Sequence, residues 1–344
     1  MNDDTQTISL EDAEALISAA FLACGISRVA ARSVAHALVA AEAEGQKGHG
    51  FSRVNDYVTQ VRSGKINGEA ELKIDSSKPG AIRIDADYGF AYPALDLAVE
   101  TMVPVARSQG VVSAGIFHSH LCGAQSVQVS RLAERGLVAM MVANAPAAMA
   151  PWGGNTPLFG TNPIAFAAPR GEGSPLVIDL SLSKVARGKI MNAHKTGKTI
   201  PQGWALDENG NPTTNPAAAL AGTMLPIGEA KGTALALMVE VLASLMTGAN
   251  FSKDAGSFFS ADGSKPGTGQ FLMAFDPYNR EDFAKRIEQL ISTIETIDGV
   301  RLPGSRRAEM IERSQAYGIK VPKIYLDEAR AFAASIPMIK IRKA

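Results

Sequence analysis

Gly48-His49-Gly50 puts an imidazole between two glycines, where few side chains are close enough in sequence to pack against it. Such a histidine is expected to be exposed and to exchange a proton with a substrate near neutral pH, although a plain surface-loop histidine reads the same way. Arg53, on the next turn of chain, offers a guanidinium fork for a carboxylate; a solvated helix N-terminus carries an arginine equally well. His118-Ser119-His120 closes an apolar run and leads through Leu121-Cys122-Gly123-Ala124 to a helix start, where backbone N–H groups gather for an anion. A His-x-His pair suggests a metal, but no acid or cysteine stands at ligand spacing, so none is expected. Cys122 is a weak nucleophile candidate and reads better as a small buried residue. Gly160-Thr161-Asn162-Pro163 is a tight turn entering a strand, and turn chemistry alone accounts for it. Asp179 ends a strand ahead of Ser181 and Ser183; an acid there orients a histidine, binds a ribose or caps a helix.

Two basic loops stand apart. Gly228-Glu229-Ala230-Lys231-Gly232 precedes a long apolar helix, and Arg301-Leu302-Pro303-Gly304-Ser305-Arg306-Arg307 reads as a compact cationic turn. Lysine beside helix-start glycines and a rigid loop with three arginines suit a pyrophosphate or a 2′-phosphate. Neither G-x-G-x-x-G after the first strand nor G-x-x-x-x-G-K-[ST] occurs, so the usual phosphate signatures are missing.

The elements that must position these residues follow from periodicity. Ser9, with Asp12 behind it, and Ser27 cap two N-terminal helices, and Gly45 falls at a helix end. A third helix is expected over 54–61, others over 95–108, 126–135, 280–296 and 327–335, and a long one from about 232. Strands are expected over 81–85, 111–117, 137–143, 164–167, 176–179 and 271–275. Between 145 and 228 Pro, Gly, Asn and Thr blur any period. The order implies a mixed α+β protein, with terminal helices around a sheet-bearing middle.

Composition narrows the function. The 344 residues carry 34 Lys plus Arg against 34 Asp plus Glu, leaving no electrostatic footprint for nucleic acid or an anionic membrane. Hydrophobic residues at 46% and charged residues at 20% exclude a disordered chain. The apolar run 234–246 is broken by Glu240 and is too short to span a bilayer, and the N-terminus is acidic where an export signal is basic. Two cysteines, Cys24 and Cys122, fit a reducing compartment, so a cytoplasmic protein is expected.

Taken together, these motifs resemble the malate/L-lactate dehydrogenase family of the non-Rossmann type. The resemblance runs in order through Gly48-His49-Gly50 with Arg53, Ser119-His120 with Gly123, Gly160-Thr161-Asn162-Pro163, Asp179-Leu180-Ser181, Ala186-Arg187-Gly188-Lys189, Ala230-Lys231-Gly232, Gly269-Gln270 and residues 301–307. The family includes sulfolactate, ureidoglycolate, malate and diketogulonate dehydrogenases, and piperideine-2-carboxylate and pyrroline-2-carboxylate reductases. It implies a largely antiparallel cofactor-domain sheet flanked by helices, a helical domain built from both chain ends, a homodimer, and NADP or NAD as cofactor. The implied domains are 1–75 with the catalytic histidine, 76–300 for the cofactor, and 301–344 returning to the helical part. By this resemblance His49 is the catalytic histidine, Asp179 the acid that steadies it, and Arg53, Thr161 and His120 contact substrate. Leu121, Cys122, Gly123, Ala124, Gln125, Asp179, Leu180, Ser181, Lys231, Arg301, Gly304, Arg306 and Arg307 contact the cofactor.

Two positions depart from the family. Gly48 replaces the usual serine before the histidine, and Leu121 replaces a histidine common in other members. Both argue against the ureidoglycolate subgroup, and 118–122 with 179–183 look nearest to the sulfolactate branch. The expected activity is hydride exchange between a nicotinamide and C2 of a small 2-oxo or 2-hydroxy acid. The alternatives are cyclic imine reduction and a non-catalytic nucleotide-binding paralogue.

Overall fold

The computed structural model describes residues 4–335; residues 1–3 of the acidic N-terminus and 336–344 of the C-terminal segment lie outside the described residues. β1 (Thr5–Ile8), α1 (Leu10–Ala23), α2 (Arg28–Ala43) and α3 (Val54–Arg62) open the chain. α1 starts as its sequence requires: Ser9 Oγ accepts from Asp12 N at 3.0 Å, and Ala13, Ile17, Ala20 and Phe21 form its buried stripe. Ser27 caps α2 likewise through Ala30 N.

The middle comprises β2 (Lys73–Lys78), β3 (Ala81–Asp85), α4 (Ala91–Gln109), β4 (Val111–Ser119), α5 (Gln125–Ala133), β5 (Val138–Ala143), β6 (Ile164–Ala168) and β7 (Leu176–Leu180). It continues through α6 (Arg187–Lys195), β8 (Ala205–Leu206), α7 (Pro216–Ala221), β9 (Thr223–Met224) and α8 (Ala230–Glu240), which runs on as a π-helical turn over Val241–Leu245. β10 (Thr268–Phe275), α9 (Arg280–Glu295), α10 (Ser305–Tyr317), β11 (Ile319–Pro322) and α11 (Lys323–Ala333) complete it.

Seven strands form one sheet in the order β2-β3-β4-β10-β5-β6-β7, in which only β3 and β4 are parallel. Alternate residues face opposite sides. Leu272 and Met141, paired in register, pack with α4 and α5, whereas Phe271 and Val142 pack with Ala236 and Val239 of α8. β1 pairs antiparallel with β11, and Ile319, Val321, Leu326 and Ala329 join the core of α1–α3, so both chain ends build one helical layer. The mixed α+β class and mostly antiparallel sheet thus agree with expectation.

Two readings of the sequence need correction. Residues 301–307 are not one turn: the turn stops at Gly304 and Ser305 begins α10, because Gly304 sits at φ 83° and docks so closely on Val177 O that a Cβ would collide there. The blurred stretch 145–228 holds two short helices, α6 and α7, the second started by Asn215 and Pro216. Among the described residues no helix is long and apolar enough to cross a membrane.

Candidate active site

After α2 the chain makes two 3₁₀ turns, Lys47–His49 and Phe51–Arg53, which place a histidine and an arginine side by side. Gly50 joins them against the side chain of Glu42, with no room for a Cβ. Glu42 is buried in the last turns of α2 and accepts from Phe51 N at 2.9 Å. Burial raises its pKa to about 7, against the opposing effects of the Phe51 N–H and Lys47.

His49 is half-buried, not exposed as its glycine neighbours suggest, and its Nδ1 is sealed without a hydrogen-bond partner. Burial, and then the Arg53 charge, lower its pKa to about 4, with Asp179 pulling the other way, so the ring is neutral at pH 7. Arg53 is held firmly. Its Nε donates to Gly48 O and its Nη1 to Asp56, both at 2.8 Å, and its guanidinium carbon lies 5.0 Å from the centroid of the Phe259 ring. A serine at position 48 would meet nothing within 4 Å of its Cβ, so packing does not impose Gly48.

Asp179, near the end of β7, does not hydrogen-bond His49; its Oδ2 accepts from Ser126 N at 3.0 Å, in the first turn of α5. It acts on His49 as a neighbouring negative charge. Ser126 Oγ donates at 2.5 Å to Glu44, which also receives Gln46 Nε2 at 2.9 Å and pairs with Arg307 Nε at 3.0 Å. Burial raises the Glu44 pKa, while Ser126 and Arg307 oppose that shift. Arg307 is therefore not a free member of a cationic loop: it reaches from α10 back to α2. Its Nη1 and Ser305 Oγ are sealed without partners, while Arg301 and Arg306 are exposed and make no ion pair among the described residues. The two exposed arginines, Arg301 and Arg306, suit a phosphorylated ligand.

His120 is buried, with its ring against Tyr57 and Phe258. Gln60 Nε2 donates to Phe258 O, so Gln60 Oε1 faces His120 Nε2 at 3.0 Å and fixes the proton there. Burial, then Lys65, lowers the pKa of His120 to about 3, leaving Nδ1 a buried, unpaired acceptor. Cys122 is buried and its thiol is pushed up to about 12, which removes it as a nucleophile. Ala124 and Gln125 are buried too, while Leu121 packs on the helical core and Gly123 is half-buried, so 121–125 can meet a ligand chiefly through their backbone.

Leu180 is exposed, Ser181 hydrogen-bonds with Ser183, and Thr161 O accepts from Leu182 N, which keeps the 160–163 turn beside the end of β7. Lys231 is exposed in the first turn of α8. The structure thus gathers His49, Arg53 and Asp179. It adds Glu42, Glu44, Asp56, Ser126 and Phe259, which sequence reasoning passed over. Two acids at the end of the alanine-rich α2, Glu42 in its last turn and Glu44 at its C-cap, were a usable signal; nothing local pointed to Phe259. Among the described residues no three His, Cys, Asp or Glu side chains converge as a metal site.

An imidazole and a pinned guanidinium thus stand side by side where the helical layer meets a mostly antiparallel sheet. The chain belongs to the malate/L-lactate dehydrogenase family, whose model matches residues 8–329. It is 48% identical over 332 residues to a (2R)-3-sulfolactate dehydrogenase (NADP(+)) of Chromohalobacter salexigens, covering 96% of this chain and 99% of that one. It is 38% identical over 317 residues to a Delta(1)-pyrroline-2-carboxylate/Delta(1)-piperideine-2-carboxylate reductase of Pseudomonas putida, covering 91% and 93%. The crystal structure of a delta1-piperideine-2-carboxylate reductase from Pseudomonas syringae superposes with a TM-score of 0.91 at 37% identity, covering 95% of this chain and 100% of that one.

Proposed function

We propose that this chain is an NADP- or NAD-dependent oxidoreductase acting at C2 of a small 2-oxo or 2-hydroxy acid, of the sulfolactate, malate or lactate kind. The observation that carries the reading is the Arg53 guanidinium, pinned through Nε and Nη1 beside a half-buried imidazole. Because Nε is committed to Gly48 O, the edge left for a substrate carboxylate is the Nη1–Nη2 end. The nicotinamide, when bound, supplies or accepts the hydride. Arg301 and Arg306, with Lys231, would hold its phosphates, and the backbone of 121–125 with 179–181 would line it.

His49 manages the proton through Nε2, the ring nitrogen that is not sealed. Neutral, it takes the proton of a 2-hydroxyl. In the reducing direction burial still depresses the His49 pKa, but a carboxylate on Arg53 offsets the lesser effect of that charge, and growing charge on the substrate oxygen favours an imidazolium donor. The neutrality of His49 also favours a second reading, cyclic imine reduction, since a protonated imine brings its own proton.

The enzyme is cytoplasmic and homodimeric in this reading. Support comes from two free cysteines and from apolar residues left exposed along α8 and its π turn, among them Leu235, Met238, Leu245 and Met246. The test is a screen of NADPH and NADH oxidation with sulfopyruvate, oxaloacetate, pyruvate and ketopantoate beside the two cyclic imines. Turnover of a 2-oxo acid is expected; turnover of the imines alone would transfer the assignment to the second reading.

A further inference from the structure

Residues 251–267 leave the π turn after α8, pass beside the His49–Arg53 pair and return to β10. Glu240 fixes the first leg through Ser252 N at 2.6 Å and Ser252 Oγ at 2.7 Å. The helical layer grips the crest: Gln60 Nε2 donates to Phe258 O, Ser63 Oγ to Ala261 O, and Lys65 Nζ to Ser260 O and Asp262 O, all within 2.9 Å. A segment held through so many of its carbonyls has a set height over the site, and Phe258 and Phe259 divide its crest. Phe258 turns inward onto His120, with ring centroids 5.1 Å apart. Phe259 stays 43% exposed while its ring lies against the Arg53 guanidinium.

We propose that Phe259 is a positioning and specificity residue: it fixes the tilt of the Arg53 guanidinium and walls one side of the space beside a bound carboxylate. Gly48 O and Asp56 fix two of the three guanidinium nitrogens but leave the group free to rock about the line joining them; a ring packed 5.0 Å from its central carbon restrains that motion. A carboxylate gripped by the Nη1–Nη2 edge lies in the guanidinium plane. C3 of a planar 2-oxo acid can stay in that plane, but a substituent on C3 leaves it on one side or the other, and in this proposal the Phe259 ring, 5.0 Å from the guanidinium carbon, closes one of them. Acids with a substituent on C3 are therefore turned towards the open side, which is a selection that a lone arginine could not make. The inference rests on Arg53 being the carboxylate clamp.

The experiment compares Phe259→Leu, which keeps apolar bulk without a π face, with Phe259→Tyr, which keeps the face. Binding of pyruvate, oxaloacetate and sulfopyruvate to the cofactor-loaded enzyme is followed by calorimetry and by KM. Phe259→Leu is expected to weaken the acids about 3–30-fold, the range of a cation–π contact, with kcat and NADPH affinity changed far less. It should also narrow the difference between pyruvate and the C3-substituted acids, and Phe259→Tyr should recover most of the loss. Unchanged acid binding in Phe259→Leu, or equal losses in both variants, overturns the proposal. So does a parallel fall in acid binding, cofactor binding and melting temperature, which marks a merely structural side chain. A wild-type enzyme that binds none of the acids overturns the parent reading together with the inference; normal wild-type binding with an unaffected Phe259→Leu overturns the inference alone.

Discussion

Burial moves His49 and Glu42 in opposite directions: the imidazole is kept neutral at pH 7, and the Glu42 carboxyl is held partly protonated there. Replacing His49 with alanine is expected to lower turnover about 10²–10⁴-fold, the share of a positioned acid–base group, with cofactor affinity intact by fluorescence titration. A variant retaining more than a third of wild-type turnover would move the proton to another group. Glu42 has consequences for stability. Its pKa is 4.5 in the unfolded chain and about 7 when folded, so between those values the unfolded state loses its proton first. Stability linked to Glu42 is thus fully present below pH 4.5 and lost as pH rises through about 7. Glu42→Gln keeps an acceptor for Phe51 N and removes the ionisation. It should be more stable than wild type at pH 8, by up to about 3 kcal/mol, and indistinguishable from it below pH 4.5, as urea melts at both pH values would measure. A gain that persists in acid would mean that repacking, not the charge, is responsible.

At the scale of elements, legibility depended on whether the signal was local. Ser9 and Ser27 announce their helices because a cap needs only the next three residues, and β4, β5 and β10 announce themselves by apolar runs. β2 was missed because all six residues of Lys73–Lys78 are exposed, as suits a charged sheet edge that resists pairing with another chain. α10 was missed because three arginines and a Pro-Gly pair outweighed the weak period that follows them. The same error merged Arg306 with Arg307, since no local pattern tells which arginine will find Glu44 on a distant helix. Separating them gives a sharper expectation for cofactor choice. Arg306→Ala should weaken NADPH by about tenfold or more relative to NADH, the loss of one charge-assisted hydrogen bond to a 2′-phosphate. Arg307→Ala should instead lower the melting temperature, because it strands a buried Glu44 carboxylate. Equal weakening of both cofactors by Arg306→Ala would place that arginine on the pyrophosphate.

At the scale of the whole molecule, α8 and its π turn pose the remaining question. An amphipathic helix on a monomer shows one apolar stripe, yet this one is apolar on its inner face through Ala236 and Val239 and on its outer face as well. Leu235, Met238, Val241 and Leu245 recur at three- and four-residue steps on the outer side, with Met246 beside them. A helix apolar all round is ordinarily covered, and a second copy of the chain is the cover that the homodimer reading supplies. The helix also lies close to the proposed site, because Glu240 at its end holds both Asn162, beside Thr161, and Ser252, where the segment bearing Phe259 begins. Dimer contacts on α8 would therefore brace the substrate side of the site through one buried carboxylate. Light scattering on the wild type should give twice the chain mass, and Leu245→Lys combined with Met246→Lys should give one chain mass, with a raised KM for the acid and an unchanged far-ultraviolet spectrum. A wild type that scatters as a single chain at micromolar concentration would remove the homodimer from the proposal. A dissociated variant with wild-type KM would instead show that the site stands complete in each chain.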